Sequence, residues 1–298
     1  MTKMQRKPQQ LRAVRDDVIF IAPAVVFFVM IVAASFLLGI YYSFTSWNGV
    51  GKHAAWIGLE NYRYLVTEDG RALRSAWFTI RFTITSVIVS NFIALLLALI
   101  LTQPIRGAKA FRAIFFLPNV IGGIILGFVW RFIFDSAFSS LAETTSLAFF
   151  QLPWLGTPGT GYWAVVIVFV WKTTGYLMVI YIAAIVGIDT QLLEAARIDG
   201  AHAGQILTRI MIPLMTPAFT VCLFLMLSWS MKLFDVIFSL TKGGPFQSTE
   251  AFSLNIYLEA FSFNNYGYGS AKAVLFFIAV GVVTLIQVTA TKRLEIEQ

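Results

Sequence analysis

Residues 194–217 read EAARIDGAHAGQILTRIMIPLMTP and lie between two long apolar runs. Ala195 and Ala196 favour helix and carry almost no side-chain bulk, so a helix is predicted over 192–199 that another protein can approach closely. Glu194 stands near its start. Gly200 is suited to the left-handed conformation that ends a helix, and a second helix over 202–212 places Ile206 and Ile210 one turn apart on one face. Gln205, Thr208 and Arg209 occupy its other face. Pro213 sits where a new helix can begin without losing a needed donor, and Pro217 is placed to bend the next apolar span. On these residues alone the stretch is either a docking element or an interfacial amphipathic loop.

The flanking runs place this stretch at a membrane. Of 298 residues 58% are hydrophobic and 12% charged, with a mean hydropathy of +0.77, far more apolar than a soluble domain. Several runs reach the roughly 18 to 20 residues that cross a bilayer. The expected fold is all-α and polytopic, with six transmembrane helices at 18–42, 78–101, 113–134, 162–187, 214–234 and 272–290. Residues 253–263 read as a short extra helix outside the bilayer.

Basic residues orient these spans. Lys3, Arg6, Lys7, Arg12 and Arg15 precede the first, and Arg106, Lys109 and Arg112 crowd the second loop without an acid, whereas 135–161 holds no lysine or arginine. The basic segments, Arg197, Arg209, Lys292 and Arg293 are therefore assigned to the cytoplasm, with both termini. Lys52, Arg63, Arg71 and Arg74 in the first outside loop run against the rule, partly offset by Glu60, Glu68 and Asp69. The first apolar run is too long for a secretory signal core and reads as an uncleaved helix. The net charge of +7 lies beside apolar spans instead of forming an exposed basic stripe, so nucleic acid is excluded as a partner. Cys222, the only cysteine, lies in an apolar run, and His53 and His202 are far apart, so no metal site is expected.

Lys172 falls inside the fourth span, where a charge costs on the order of 3 kcal/mol and must face a wet cavity or a partner. Trp171, Thr173, Thr174, Gly175 and Tyr176 surround it with polar and aromatic groups. Such a mixture suits a sugar, whose apolar face covers an aromatic ring while its hydroxyls exchange hydrogen bonds. It equally suits helix packing, which uses threonine and glycine. Arg131 with Asp135, and Lys232 with Asp235, are spaced to pair along one helix face. Trp47, Trp56, Trp77 and Tyr162 fit an aromatic belt.

Glu194-Ala195-Ala196, Gly200, Ile210 and Pro213 resemble the EAA motif of permease subunits of bacterial type-1 ABC importers, with Ile212 where leucine is commoner. GLENYRYL from Gly58, FRAIFFLPNVIGG from Phe111, TKGGP from Thr241 and IYLEAFSFNNYGYGSA from Ile256 are similar to the carbohydrate branch of that family. The resemblance covers nearly the whole chain apart from its N-terminal tail. It implies a cytoplasmic tail (1–17), a first transmembrane helix (18–42), an extracytoplasmic loop (43–77), a core (78–290) holding the coupling loop at 190–213, and a C-terminal tail (291–298).

The family implies that Glu194, Ala195, Ala196, Asp199, Gly200 and Arg209 dock into a cleft of a cytoplasmic ATPase subunit. The chain itself contains no G-x-x-x-x-G-K-[ST] loop, so ATP and magnesium belong to the partners, and this chain is neither an enzyme nor a cofactor carrier. In the maltose branch, sugar contacts come from three core helices. Carried across on Leu117-Pro118, Gly175-Tyr176 and residues 241–245, they become Asn119 and Gly123; Trp171, Thr174, Gly175 and Met178; and Met226, Trp229, Ser230 and Leu233. Lys172 joins that set as the charge within the span. Trp171 and Trp229 depart from the maltose pattern, so maltose specificity does not carry over. The implied partners are a second homologous permease, two ATPase subunits, an extracytoplasmic solute-binding protein and membrane lipid. The rival class is an ion-gradient-driven transporter or channel using Lys172 as its coupling charge. An intramembrane enzyme lacks any convergent nucleophile and base.

Overall fold

The computed structural model describes residues 20–51, 53–145 and 147–293. The expected N-terminal tail and most of the C-terminal tail lie outside the described residues. In chain order the helices are α1 (Phe20–Ser43), α2 (Glu60–Thr67), α3 (Gly70–Leu101), α4 (Ala108–Val120), α5 (Gly123–Thr144), α6 (Ala148–Gln151) and α7 (Pro158–Val186). They continue as α8 (Thr190–Ile198), α9 (Ala203–Leu214), α10 (Thr216–Met231), α11 (Asp235–Leu240), α12 (Phe252–Tyr257) and α13 (Tyr266–Lys292). Five of these, α1, α3, α5, α7 and α13, are long and apolar enough to cross a membrane, and α9 with α10 makes a sixth if that bent pair is one span.

The chain divides into two compact units, the first holding residues 1–68 and 259–275. There α1 presents Phe27, Phe28 and Ile31 outward, as a lipid-facing helix should. The GLENYRYL segment is explained by Asn61, which is buried and donates to the Ser43 carbonyl at 2.9 Å and the Thr45 carbonyl at 3.0 Å. Glycine at 267 lets its helix touch that turn: the Gly267 amide donates to the Trp47 carbonyl at 2.8 Å, and a β-carbon would overlap the Thr45 carbonyl. Lys272 is fully buried, with its ammonium 2.9 Å from the Glu259 carboxylate and over the Tyr268 ring.

The second unit holds residues 69–258 and 276–298. Its centre is α3 packed along α7, and the two run parallel: Phe78 meets Tyr162, Phe82 meets Phe169, Ser90 meets Thr173 and Asn91 meets Tyr181. Their last turns therefore share one end with the basic segment 106–112, where Arg112 donates to the Leu101 carbonyl. Close approach elsewhere relies on glycine. A β-carbon at Gly175 would overlap the Phe115 backbone of α4, and one at Gly123 or Gly127 would overlap Asp235 or Ser239 of α11. At the opposite end Glu250, fully buried, accepts from Arg71 at 2.7 Å, Ser75 at 3.1 Å and Asn255 at 2.7 Å, and so anchors the TKGGP turn to α3.

Several expectations change. The third span, expected over 113–134, is two helices broken at Ile121 and Gly122, because Ile121 turns extended just after Pro118. The fifth, expected over 214–234, is α10 and ends early, at Met231; it meets α9, which matches the second loop helix expected over 202–212, at a 66° bend around Met215. Pro213 lies near the end of α9, beyond a π-helical turn, while Pro217 sits in the first turn of α10, where its missing N–H costs nothing. The second helix begins at Gly70, capped by Asp69, whose carboxylate accepts from the Ala72 amide at 2.8 Å. The fourth and last spans begin at Pro158 and Tyr266, earlier than expected.

Candidate functional site

The 190–213 loop is built from caps. Asp189 accepts from the Gln191 amide at 2.9 Å to start α8, and Ala201 closes its end by donating to the Ala196 carbonyl at 2.9 Å. Gly200 takes φ +84°, the left-handed geometry that favours glycine. His202 and Gln205 then start α9 with a reciprocal cap: the Gln205 amide reaches His202 Nδ1 at 3.3 Å, and the His202 amide reaches Gln205 Oε1 at 3.0 Å. One side is anchored, with Ile206 buried and Leu193, Met211 and Leu214 packed on the core. The other side is presented: Glu194, Ala195, Arg197, Asp199, Gly200 and Arg209 are exposed, and Ala196 is half-buried. Ile198 is 86% exposed beside them, an apolar centre within a charged rim.

The second candidate is a cavity of about 310 Å³ lined by Asn119, Phe169, Lys172, Thr173, Ser228, Trp229, Lys232, Leu233 and Asp235. Lys172 meets Asp235 at 3.5 Å across it. The expected pair of Lys232 with Asp235 does not form, because α10 ends at Met231 and Asp235 starts a new helix, so the two are not spaced along one helix face; Asp235 pairs with Lys172 instead. Arg131 and Asp135 do pair, at 3.5 Å along one helix. The cavity thus holds two ammonium groups, one carboxylate, a hydroxyl-bearing wall and an indole. Tyr176 packs edge-on against Trp229 and fixes that indole in place.

Of the expected cargo residues, Asn119, Trp229 and Leu233, carried over from the resemblance, meet in this cavity with Lys172, the charge read within the span. Trp171, Thr174 and Gly175 lie on another face of α7, beside an apolar groove of about 350 Å³. Gly123 is packed against Asp235, while Met178, Met226 and Ser230 are fully buried in the core, Ser230 donating to the Met226 carbonyl at 2.6 Å. Phe169 and Ser228 were not singled out, Thr173 was named only as a polar neighbour of Lys172, and Lys232 and Asp235 only as an ion pair. Helical phase carries the signal for some of them: Phe169 and Thr173 share a stripe with Lys172, and Lys232 lies one turn beyond Ser228 and Trp229. Asp235 had no such signal, since its partner is 63 residues away. Among the described residues no group of three or more His, Cys, Asp or Glu could hold a metal ion.

Comparison with known proteins matches residues 90–295 to the model of the binding-protein-dependent transport system inner membrane component family. The chain is 43% identical over 279 residues to the "Probable starch degradation products transport system permease protein AmyD" of Thermoanaerobacterium thermosulfurigenes, covering 94% of each chain. It is 30% identical over 258 residues to the multiple sugar-binding transport system permease protein MsmF of Streptococcus mutans, covering 87% of this chain and 89% of that one. A bacterial alginate ABC transporter, solved in complex with its alginate pentasaccharide-bound periplasmic protein, contains a chain with the same fold, at a TM-score of 0.82 and 21% identity over 97% of this chain and 98% of that one. This chain belongs to the binding-protein-dependent transport system inner membrane component family: it is a multi-pass, non-catalytic permease of an ABC transporter, whose nucleotide is carried by separate ATPase subunits.

Proposed function

We propose that this chain is one of two homologous permeases that import a sugar, an oligosaccharide or a related polyol across a bacterial cytoplasmic membrane, with cargo passing the cavity beside Lys172. The observation that carries the reading is the composition of that cavity: Trp229 offers an aromatic ring, while Asn119, Ser228 and the Lys172–Asp235 pair offer donors and acceptors within reach of one ligand. The permeases named for starch degradation products and multiple sugars favour the same cargo class. A coupling charge for an ion gradient would leave the capped, exposed loop unused, and membership of the binding-protein-dependent family supplies ATP as the energy source instead.

The loop at 190–213 faces the cytoplasm. The ends of α3 and α7, the basic segment 106–112 and this loop share one side, which agrees with the inward bias of lysine and arginine. There the exposed face around Ala195 and Ile198 docks into an ATPase subunit, and closure of two ATPases on ATP moves α8 and α9 as a capped unit. The 66° bend at Met215 carries that movement into α10, whose far end bears Ser228 and Trp229. A periplasmic binding protein delivers cargo at the opposite end.

The test is uptake by the reconstituted complex of permeases, ATPases and binding protein. Trp229→Ala is expected to raise the half-saturating cargo concentration about tenfold with ATPase subunits still bound. Unchanged uptake kinetics for both Trp229→Ala and Lys172→Met would remove this cavity from the pathway.

A further inference from the structure

A second polar cleft lies away from both candidate regions. It has a volume of about 420 Å³ and is lined by Arg74, Trp77 and Arg81 of α3, Tyr162 and Trp163 of α7, and residues 246–248 of the turn after TKGGP. Among the described residues, no carboxylate lines it. Arg81 lies with its guanidinium carbon 4.7 Å from the centre of the Tyr162 ring, a cation–π contact that holds the charge at the cleft. The Ser248 hydroxyl is buried at the cleft wall without a hydrogen-bond partner. Left-handed backbone at Phe246 and Gln247 holds the Phe246 ring out, 90% exposed.

Depth identifies the ligand. From Phe82 to Leu101, α3 runs through twenty residues that hold no charge, about 30 Å at 1.5 Å per residue, the thickness of the hydrocarbon core. Arg81 therefore sits at the edge of that core and Arg74 about 10 Å beyond it, two turns along the same face. Trp77 and Trp163, 60% and 51% exposed, mark the same level as an interfacial belt. Trp163 also heads the apolar groove below, where Val89, Ile93 and Leu97 of α3 face Ile167 and Trp171 of α7 over about 350 Å³. Two guanidiniums above an apolar groove, with Trp163 lining both cleft and groove, match a phosphate above an acyl chain.

We propose that this cleft and groove together bind one anionic phospholipid in the leaflet remote from the 190–213 loop, its phosphodiester held by Arg74, Arg81 and Ser248 and one acyl chain laid along the groove. With that loop in the cytoplasm, this is the outer leaflet. The site is separate from the cargo cavity, which lies on the Lys172 side of α7.

Native mass spectrometry of the intact purified transporter, titrated with phosphatidylglycerol or phosphatidylcholine, tests it. One phosphatidylglycerol per copy of this chain is expected to be held preferentially. Replacing both arginines (R74Q with R81Q) should weaken that binding about thirtyfold, from about 1 kcal/mol per basic group at an anionic lipid surface converted at 1.4 kcal/mol per tenfold. R81K, which keeps the charge, should retain most of the binding, and this distinguishes charge recognition from a folding defect. The proposal is overturned if the parent shows no preference for phosphatidylglycerol, as when a helix of the second permease fills the groove, or if the double variant binds within twofold of the parent. It is also overturned if an acidic oligosaccharide, or glycerol phosphate without acyl chains, displaces the lipid at equal concentration.

Discussion

The loop at 190–213 and the cavity at Lys172 are the two candidate functional surfaces, and they are made in opposite ways. The loop is contiguous: each of its caps links residues at most five apart, from Asp189 with Gln191 to Ala196 with Ala201. The cavity is assembled from α4, α7, α10 and the start of α11, and its one ion pair joins residues 63 apart in the chain. A local device tolerates changes elsewhere and moves as one body. An assembled cavity changes shape whenever its helices shift, as a cargo site in an alternating-access permease must.

The largest expected effect comes from the loop. Replacing Glu194 by Lys together with Gly200 by Val puts a charge reversal on the docking face and a β-branched residue at φ +84°, a geometry that costs such a residue about 1 to 2 kcal/mol. Copurifying ATPase subunits and uptake are both expected to fall to background, with the permease still inserted. Lys172→Met should come next. It leaves Asp235 without its partner and is expected to lower uptake at least about tenfold while ATPase subunits remain bound. Because Asp235 is partly exposed, the pair is modest, and adding Asp235→Asn to Lys172→Met should recover about 1 kcal/mol of thermal stability in a double-mutant cycle. If Lys172→Met also releases the ATPases, the two regions are not separable.

Gly123→Ala should be smaller but specific. Its added methyl enters the Asp235 carboxylate, so that side chain must swing away from Lys172 or α5 and α11 must separate, at about 1 to 3 kcal/mol read as a lowered Tm. Smallest of all is Trp171→Ala. With its ring on the groove side of α7, uptake is expected to stay within about twofold, in contrast to the tenfold effect of Trp229→Ala. Equal losses for the two tryptophans would place cargo on both faces of α7.

Legibility from sequence divides along the same line. The helix ending at Ile198, the turn at Gly200 and the second helix were all readable because capping and left-handed glycine are local chemistry. Apolar runs located the long helices, since bilayer thickness sets their length. The break at Ile121 was not readable, because hydropathy averages across a kink and Pro118 is compatible with continuous helix on one side, whereas the break near Met215 was signalled by Pro213 and Pro217 between the second loop helix and the next span. Lys172 announced itself as a charge within a span, but its partner did not: Asp235 was assigned to Lys232 by spacing along a helix that in fact ends between them. Trp171 and Thr174 were grouped with Lys172 by adjacency in sequence, although a step of 100° per residue already turns Trp171 to another face.

The central claim is that ATP-driven motion enters through the 190–213 loop, and one cysteine measures it directly. Cys222 is the only cysteine and is buried, so Ala195→Cys on the exposed face is a unique reactive thiol. With a crosslinker that is thiol-reactive at one end and photoreactive at the other, applied to native membranes, the account predicts a crosslink from this position to an ATPase subunit, with a yield that changes on adding ATP. An active transporter that gives no such crosslink, or in which this thiol is labelled by a membrane-impermeant reagent from the outside, would contradict it.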